Sequence, residues 1–234
     1  MIVRFKPKTR EELKDLVDKL IAKRGNNADL NDIDTSLITD MSYIFAGYKA
    51  FSSNFNGDIS KWDTRNVVNM SHMFEKSNFN GDISKWDVSR VEDMSYMFYN
   101  SNYFNGDISK WDVSRVKKMN FIFSRSIFNG DISKWDVSSV EDMSCMFHWS
   151  RFNGDISKWD VSNVKDMCSM FNVSSFNGDI SKWDTSNVAD MSDMFKGSNF
   201  NGDLSKWNIS NVKTMKNMFF MSILEGNEPA WYKG

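Results

Sequence analysis

One nonapeptide, FNGDISKWD, recurs seven times, beginning at Phe55, Phe79, Phe104, Phe128, Phe152, Phe176 and Phe200, the last copy reading FNGDLSKWN. The starts are 24 residues apart, except for a single step of 25 between Phe79 and Phe104. A fixed period of this length excludes a single central core. Each unit must fold alike and bury its apolar face on its neighbours.

We number each unit from its Phe as position 1. Apolar residues hold positions 1, 5, 8, 10, 13, 16, 19 and 20. At positions 7 to 10 charge alternates with Trp and a β-branched residue, which predicts a short strand. Positions 13, 16, 19 and 20 step by three to four, which predicts a short helix. Ser at position 11 is placed to cap it, and Ser89/Glu92 and Ser138/Glu141 have capping-box spacing. Asp93, Asp142, Asp166 and Asp190 would then stand in its first turn, and Asn-Gly at positions 2 and 3 is a turn signal. The expected fold is α/β, a solenoid of short parallel strands and short helices. Strands sit ~4.8 Å apart and helices ~8–10 Å, so such a stack bends by roughly 25° per unit into a horseshoe, strands concave and helices convex. A tight 3₁₀ turn at positions 13–20 would reduce the curvature.

The ends differ from the middle. Thr9 and Glu12 have capping-box spacing, Leu13, Leu16, Val17, Leu20 and Ile21 form one stripe, and Gly25 suits a C-cap, so residues 1–25 read as an N-terminal capping helix. Residues 26–54 align with the repeat as a degraded first unit, Asp29 on Asp58 and Met41 on Met70, with extra residues before Phe55. Residues 55–223 are the seven full units. Residues 224–234 place Trp231 at position 8 and read as a degenerate terminal strand, with Pro229 discouraging further pairing.

The 29 basic and 31 acidic residues give a net charge of −2, without the basic face of a nucleic-acid binder. No apolar run approaches the ~20 residues of a membrane span, and no signal peptide or lipid-attachment cysteine is visible. These features point to a cytoplasmic chain as given.

FNGDISKWDVS followed by V-x-x-M-S-x-M-F resembles the BspA-like leucine-rich repeat surface proteins, over about residues 26–223. The resemblance implies a right-handed leucine-rich-repeat solenoid, surface display and adhesion to host or matrix proteins. It makes a cell or particle surface the alternative location, and it supplies no catalytic residue.

The regular columns read as framework. Trp62, Trp86, Trp111, Trp135, Trp159, Trp183, Trp207 and Trp231 form an inward tryptophan ladder. Lys61 and its equivalents form an outward column neutralised by Asp63 and its equivalents. Asp58 and its equivalents supply a single carboxylate per turn, too few for Ca²⁺, and suit turn capping beside an Asn ladder. His72 and His148 stand in different columns, so no metal site is expected. Cys145 and Cys168 fall in adjacent units and are expected reduced. No cofactor and no catalysis are expected. Variation is concentrated at positions 12, 14, 18, 21, 22 and 24. Candidate partner-binding residues there and at the inserted residue are Tyr96, Tyr99, Tyr103, Phe121, His148, Trp149 and Phe220. The sequence therefore reads as a non-catalytic repeat scaffold for protein–protein interaction. The alternatives are a structural or self-associating subunit of an assembly and, remotely, carbohydrate binding on the concave face.

Overall fold

The computed structural model describes residues 5–47 and 53–233; part of the insertion before Phe55 and the extreme termini lie outside them. Helix α1, Arg10–Arg24, opens the chain. The Thr9 side chain accepts from the Glu12 amide at 3.2 Å, and the Glu12 carboxylate accepts from the Lys8 amide at 2.7 Å. Gly25, at φ 87°, closes the helix by donating to Ile21. Leu13, Val17 and Leu20 are buried against the first coil, which they cover as a cap.

Beyond α1 the expected secondary structure is absent. Among the described residues there is no second α-helix, no run of paired strand residues and no terminal strand. The α/β arrangement of strands on one side and helices on the other, with the horseshoe derived from it, is therefore wrong for this chain. Each 24-residue unit is instead a coil of consecutive turns, joined to its neighbours by isolated parallel bridges. The longest series links Asp40, Asn69, Asp93, Lys118, Asp142, Asp166, Asp190 and Thr214, all at position 15.

The reason lies in where the backbone groups point. Around position 20 the amides of Met70, His72, Phe74 and Lys76 donate to carbonyls of the next coil, Asp93, Ser95, Met97 and Tyr99, at 2.7–2.9 Å. Their own coil holds the carbonyls of Met70, His72 and Phe74, which accept from Met73, Glu75 and Ser77 at 3.1–3.3 Å. A helix would need those amides four residues back. Position 18 lies at φ 54–61° in every coil from Tyr43 to Asn217, and position 22 at φ 50–63° from Lys76 to Met221. Positive φ at the third of four residues makes type II turns and rules out helix propagation. Elsewhere in the coil Trp62 donates to Ile59 and Val67 to Thr64, so the predicted strand is also spent in turns.

Side-chain burial nevertheless follows the expected columns. Phe rings of position 1 stack at 6.1–6.5 Å between coils, and those of position 20 at 5.6–6.0 Å. Trp62 to Trp207 are 3–4% exposed. Each indole N–H is satisfied by a position-5 carbonyl of the preceding coil, from Trp62 on Leu30 to Trp207 on Ile180, at 3.0–3.2 Å, and Trp231 continues the series on Leu204.

Polar columns bind the coils and shape their corners. Each position-2 amide from Asn80 to Asn201 donates to the Asn side-chain oxygen of the preceding coil, at 2.8–3.1 Å. Asp58, Asp82, Asp107, Asp131, Asp155, Asp179 and Asp203 each accept the Ser amide two residues on, at 2.8–3.0 Å. This is the turn role expected of the NGD column. Gly in that motif serves close packing: at Gly130 an added Cβ would lie 2.9 Å from the Phe128 ring. The position-11 Ser residues cap no helix; Asp87, Asp112 and Asp136 accept their amides and hydroxyls. No ion pair joins the Lys61 and Asp63 columns among the described residues, where Asp63 pairs with Arg65. Pairing occurs at position 14 instead, Lys117 with Glu92 and Lys165 with Glu141.

Candidate functional site

Position 18 is among the positions whose side chains vary from coil to coil. The positive φ there turns them outward, and residues one coil apart lie face to face. Tyr43, His72, Tyr96 and Phe121 form one continuous stack, with ring centroids at 4.3, 4.5 and 4.4 Å and planes within 9°. Tyr99 sets its edge against both Tyr96 and Phe121, at 5.5 and 6.1 Å. His72 Nδ1 lies 2.6 Å from the Glu75 carboxylate. That hydrogen bond holds Glu75 below the usual carboxylate range. Burial raises the Tyr96 phenol, and burial followed by the Glu75 charge raises Tyr43.

The stack ends where the aromatic residues end. Cys145 is next in the column, and its amide donates to the Cys168 carbonyl at 2.8 Å. Both thiols are free. Burial, and then the neighbouring Cys168, push Cys145 up to about 12, and burial also raises Cys168, so both stay protonated at neutral pH.

The remaining candidates lie apart. Trp149 is 55% exposed at position 22, with the Arg125 guanidinium 5.3 Å from its ring. His148 stands beside it, its rings 6.4 Å away, and burial followed by the Arg125 charge lowers its pKa. Tyr103, at the inserted residue, is 56% exposed. Phe220 lies on the last coil with Lys196 5.9 Å from its ring. The seven expected residues therefore form no single site. Tyr96, Tyr99 and Phe121 meet, His148 and Trp149 are neighbours, and Tyr103 and Phe220 stand alone.

Sequence reasoning missed Tyr43 and His72 as members of the aromatic column. The available signal was their shared position 18, which becomes informative only once that position is known to face outward. Among the described residues no group of three or more His, Cys, Asp or Glu side chains is placed to hold a metal ion, and no helix is long and apolar enough to cross a membrane.

A family model described as "Mycoplasma protein of unknown function, DUF285" matches residues 13–127 and again 123–226. The chain belongs to this family. The two matches span the cap and nearly every coil of this DUF285 chain, in agreement with a repeat protein. They do not carry the narrower BspA-like leucine-rich assignment. No curated protein and no solved structure matches the chain.

Proposed function

We propose that this DUF285 chain is a non-catalytic repeat scaffold that binds a partner protein through the side chains that vary from coil to coil. The observation that carries this reading is the exposure of large aromatic residues on an otherwise uniform frame. Tyr103 and Trp149 are more than half exposed, although the Phe, Met and Trp columns leave almost no core aromatic accessible. Rigid aromatic side chains bind at low entropic cost and dominate interface energetics. A display role at a cell or particle surface is compatible with this reading. The Trp column is unsuited to stacking on sugars, because its rings are buried.

The test is capture of partners by the Tyr103→Ala/Trp149→Ala double variant. Loss of capture with an unchanged melting temperature is expected, since neither ring is part of the core. Undiminished capture would overturn this surface as the binding face.

A further inference from the structure

The last coil ends in a row of backbone donors. In the coil before it, the amides of Met191, Asp193, Phe195 and Gly197 donate to the carbonyls of Thr214, Lys216, Met218 and Phe220, each at 2.9 Å. The equivalent amides of Met215, Asn217 and Phe219 meet no acceptor among the described residues. The fourth, Met221, donates to the Glu225 carboxylate at 2.8 Å. The carbonyls of Met215, Asn217 and Phe219 already accept from Met218, Phe220 and Ser222 at 3.0–3.1 Å. From Met215 to Met221 the rim therefore offers donors, while the carbonyls that face the same way without a donor among the described residues, Ser210 and Lys213, lie before that row. Beside it lies a hollow of about 230 Å³ walled by Phe219, Phe220, Tyr232 and Asn217, with Glu225 and Glu228 at its edge outnumbering the one cation there, Lys216.

The geometry points to this rim as the docking site for a proline-containing extended segment of a partner protein. Hydrogen-bond sign selects the occupant. The same rim of a second copy would set donors against donors. The opposite rim of a second copy has the complementary carbonyls, but α1 lies along it, with Arg10 reaching the Ser42 carbonyl at 3.5 Å and Lys14 and Asp18 beside Ile44 and Ala46. An ordinary β-strand brings as many amides to its edge as carbonyls, and those amides would face the rim's own donors. A segment rich in proline offers carbonyls with few amides. Its rings suit an aromatic wall, as in polyproline recognition, and the two carboxylates favour a flanking Lys or Arg. The incoming carbonyls replace Glu225 at the Met221 amide and extend the row to Phe219, Asn217 and Met215.

Amide hydrogen exchange on the free protein tests the premise. Met215, Asn217 and Phe219 should exchange faster than Met191, Asp193 and Phe195, and equal protection would overturn the proposal. Two synthetic dodecapeptides then serve as probes, one of alternating Lys-Pro-Pro type and one with every proline replaced by alanine. Titration followed by amide NMR should shift the three free amides with the proline peptide alone, and Phe220→Ala should weaken that binding about tenfold. Absent shifts, or equal binding of the alanine peptide, would overturn the assignment. So would concentration-dependent dimers that protect the same amides, which would make a second copy the occupant. The Tyr103/Trp149 double variant should bind the proline peptide normally, which separates this rim from the face proposed above.

Discussion

Single residues in this chain are held by backbone conformation as much as by burial. Val173 makes the point: it sits at φ 51° and is 41% exposed. A β-branched residue in the left-handed region pays about 1–2 kcal/mol that glycine does not. The next coil already carries Gly197 there, at φ 63°. Val173→Gly should therefore stabilise the protein by about 1 kcal/mol, read as a rise in melting temperature; a fall would show that Val173 packing outweighs the strain. Gly130 is the opposite case. Its Cβ would press on the buried Phe128 ring, and Gly130→Ala should cost about 1–3 kcal/mol, measurable by chemical denaturation. An unchanged midpoint would mean that the ring column yields more easily than close packing implies.

At the scale of the element, the sequence showed which side chains face inward but not the path of the backbone. Trp62, Phe74 and Met70 could be assigned to the core because alternation and spacing report burial whatever the chain does between them. A step of three to four at positions 13–20 suits a helix and a series of turns equally well. The deciding feature, positive φ at positions 18 and 22, falls mainly on residues other than Gly, Asn and Asp, among them Tyr96, His72, Arg125, Trp149 and Cys145, which carry no left-handed signal. The buried serine column at position 23 was overlooked for a related reason. Ser126, Ser150 and Ser174 accept the amide of the following Phe, a role that shows only when the corner is seen. The candidate site was legible as a set of variable positions and not as a constellation, because face-to-face stacking depends on that same backbone. Since each coil offers its successor the surface it receives, excising Phe128–Arg151 should leave a folded protein with one fewer coil. The measurement is cooperative melting with unchanged near-ultraviolet dichroism per residue. Excising half that length should abolish the transition, and tolerance of both deletions would contradict the register described here.

For the whole molecule, acid is the revealing perturbation. Asp58, Asp82, Asp107, Asp131, Asp155, Asp179 and Asp203 are all held below the ordinary carboxylate range, chiefly by hydrogen bonds from the Ser two residues on. Asp34, bonded to Ser36 and Lys6, is held at about 2. A depressed native value stabilises the fold above the unfolded pKa, and that contribution is lost as pH falls through the native value. Asp166, raised by burial, works in the opposite direction, alone against many. Thermal stability should therefore decline slightly as pH falls through the ordinary imidazole range, because buried His148 takes up its proton less readily in the folded state, and decline further between about pH 4 and pH 2. A melting temperature that holds to pH 2 would refute the assignment of these carboxylates to the turns. The tryptophan column has an optical consequence at the same scale. Trp62 and Trp86, like Trp183 and Trp207, lie 6.4 Å apart with planes within 9°. Chromophores so close and so nearly parallel exchange excitation faster than they emit. Light absorbed by one indole of either pair is thus shared with its partner one coil away, and the fluorescence of these indoles reports the stacking of coil on coil as well as the surroundings of each ring.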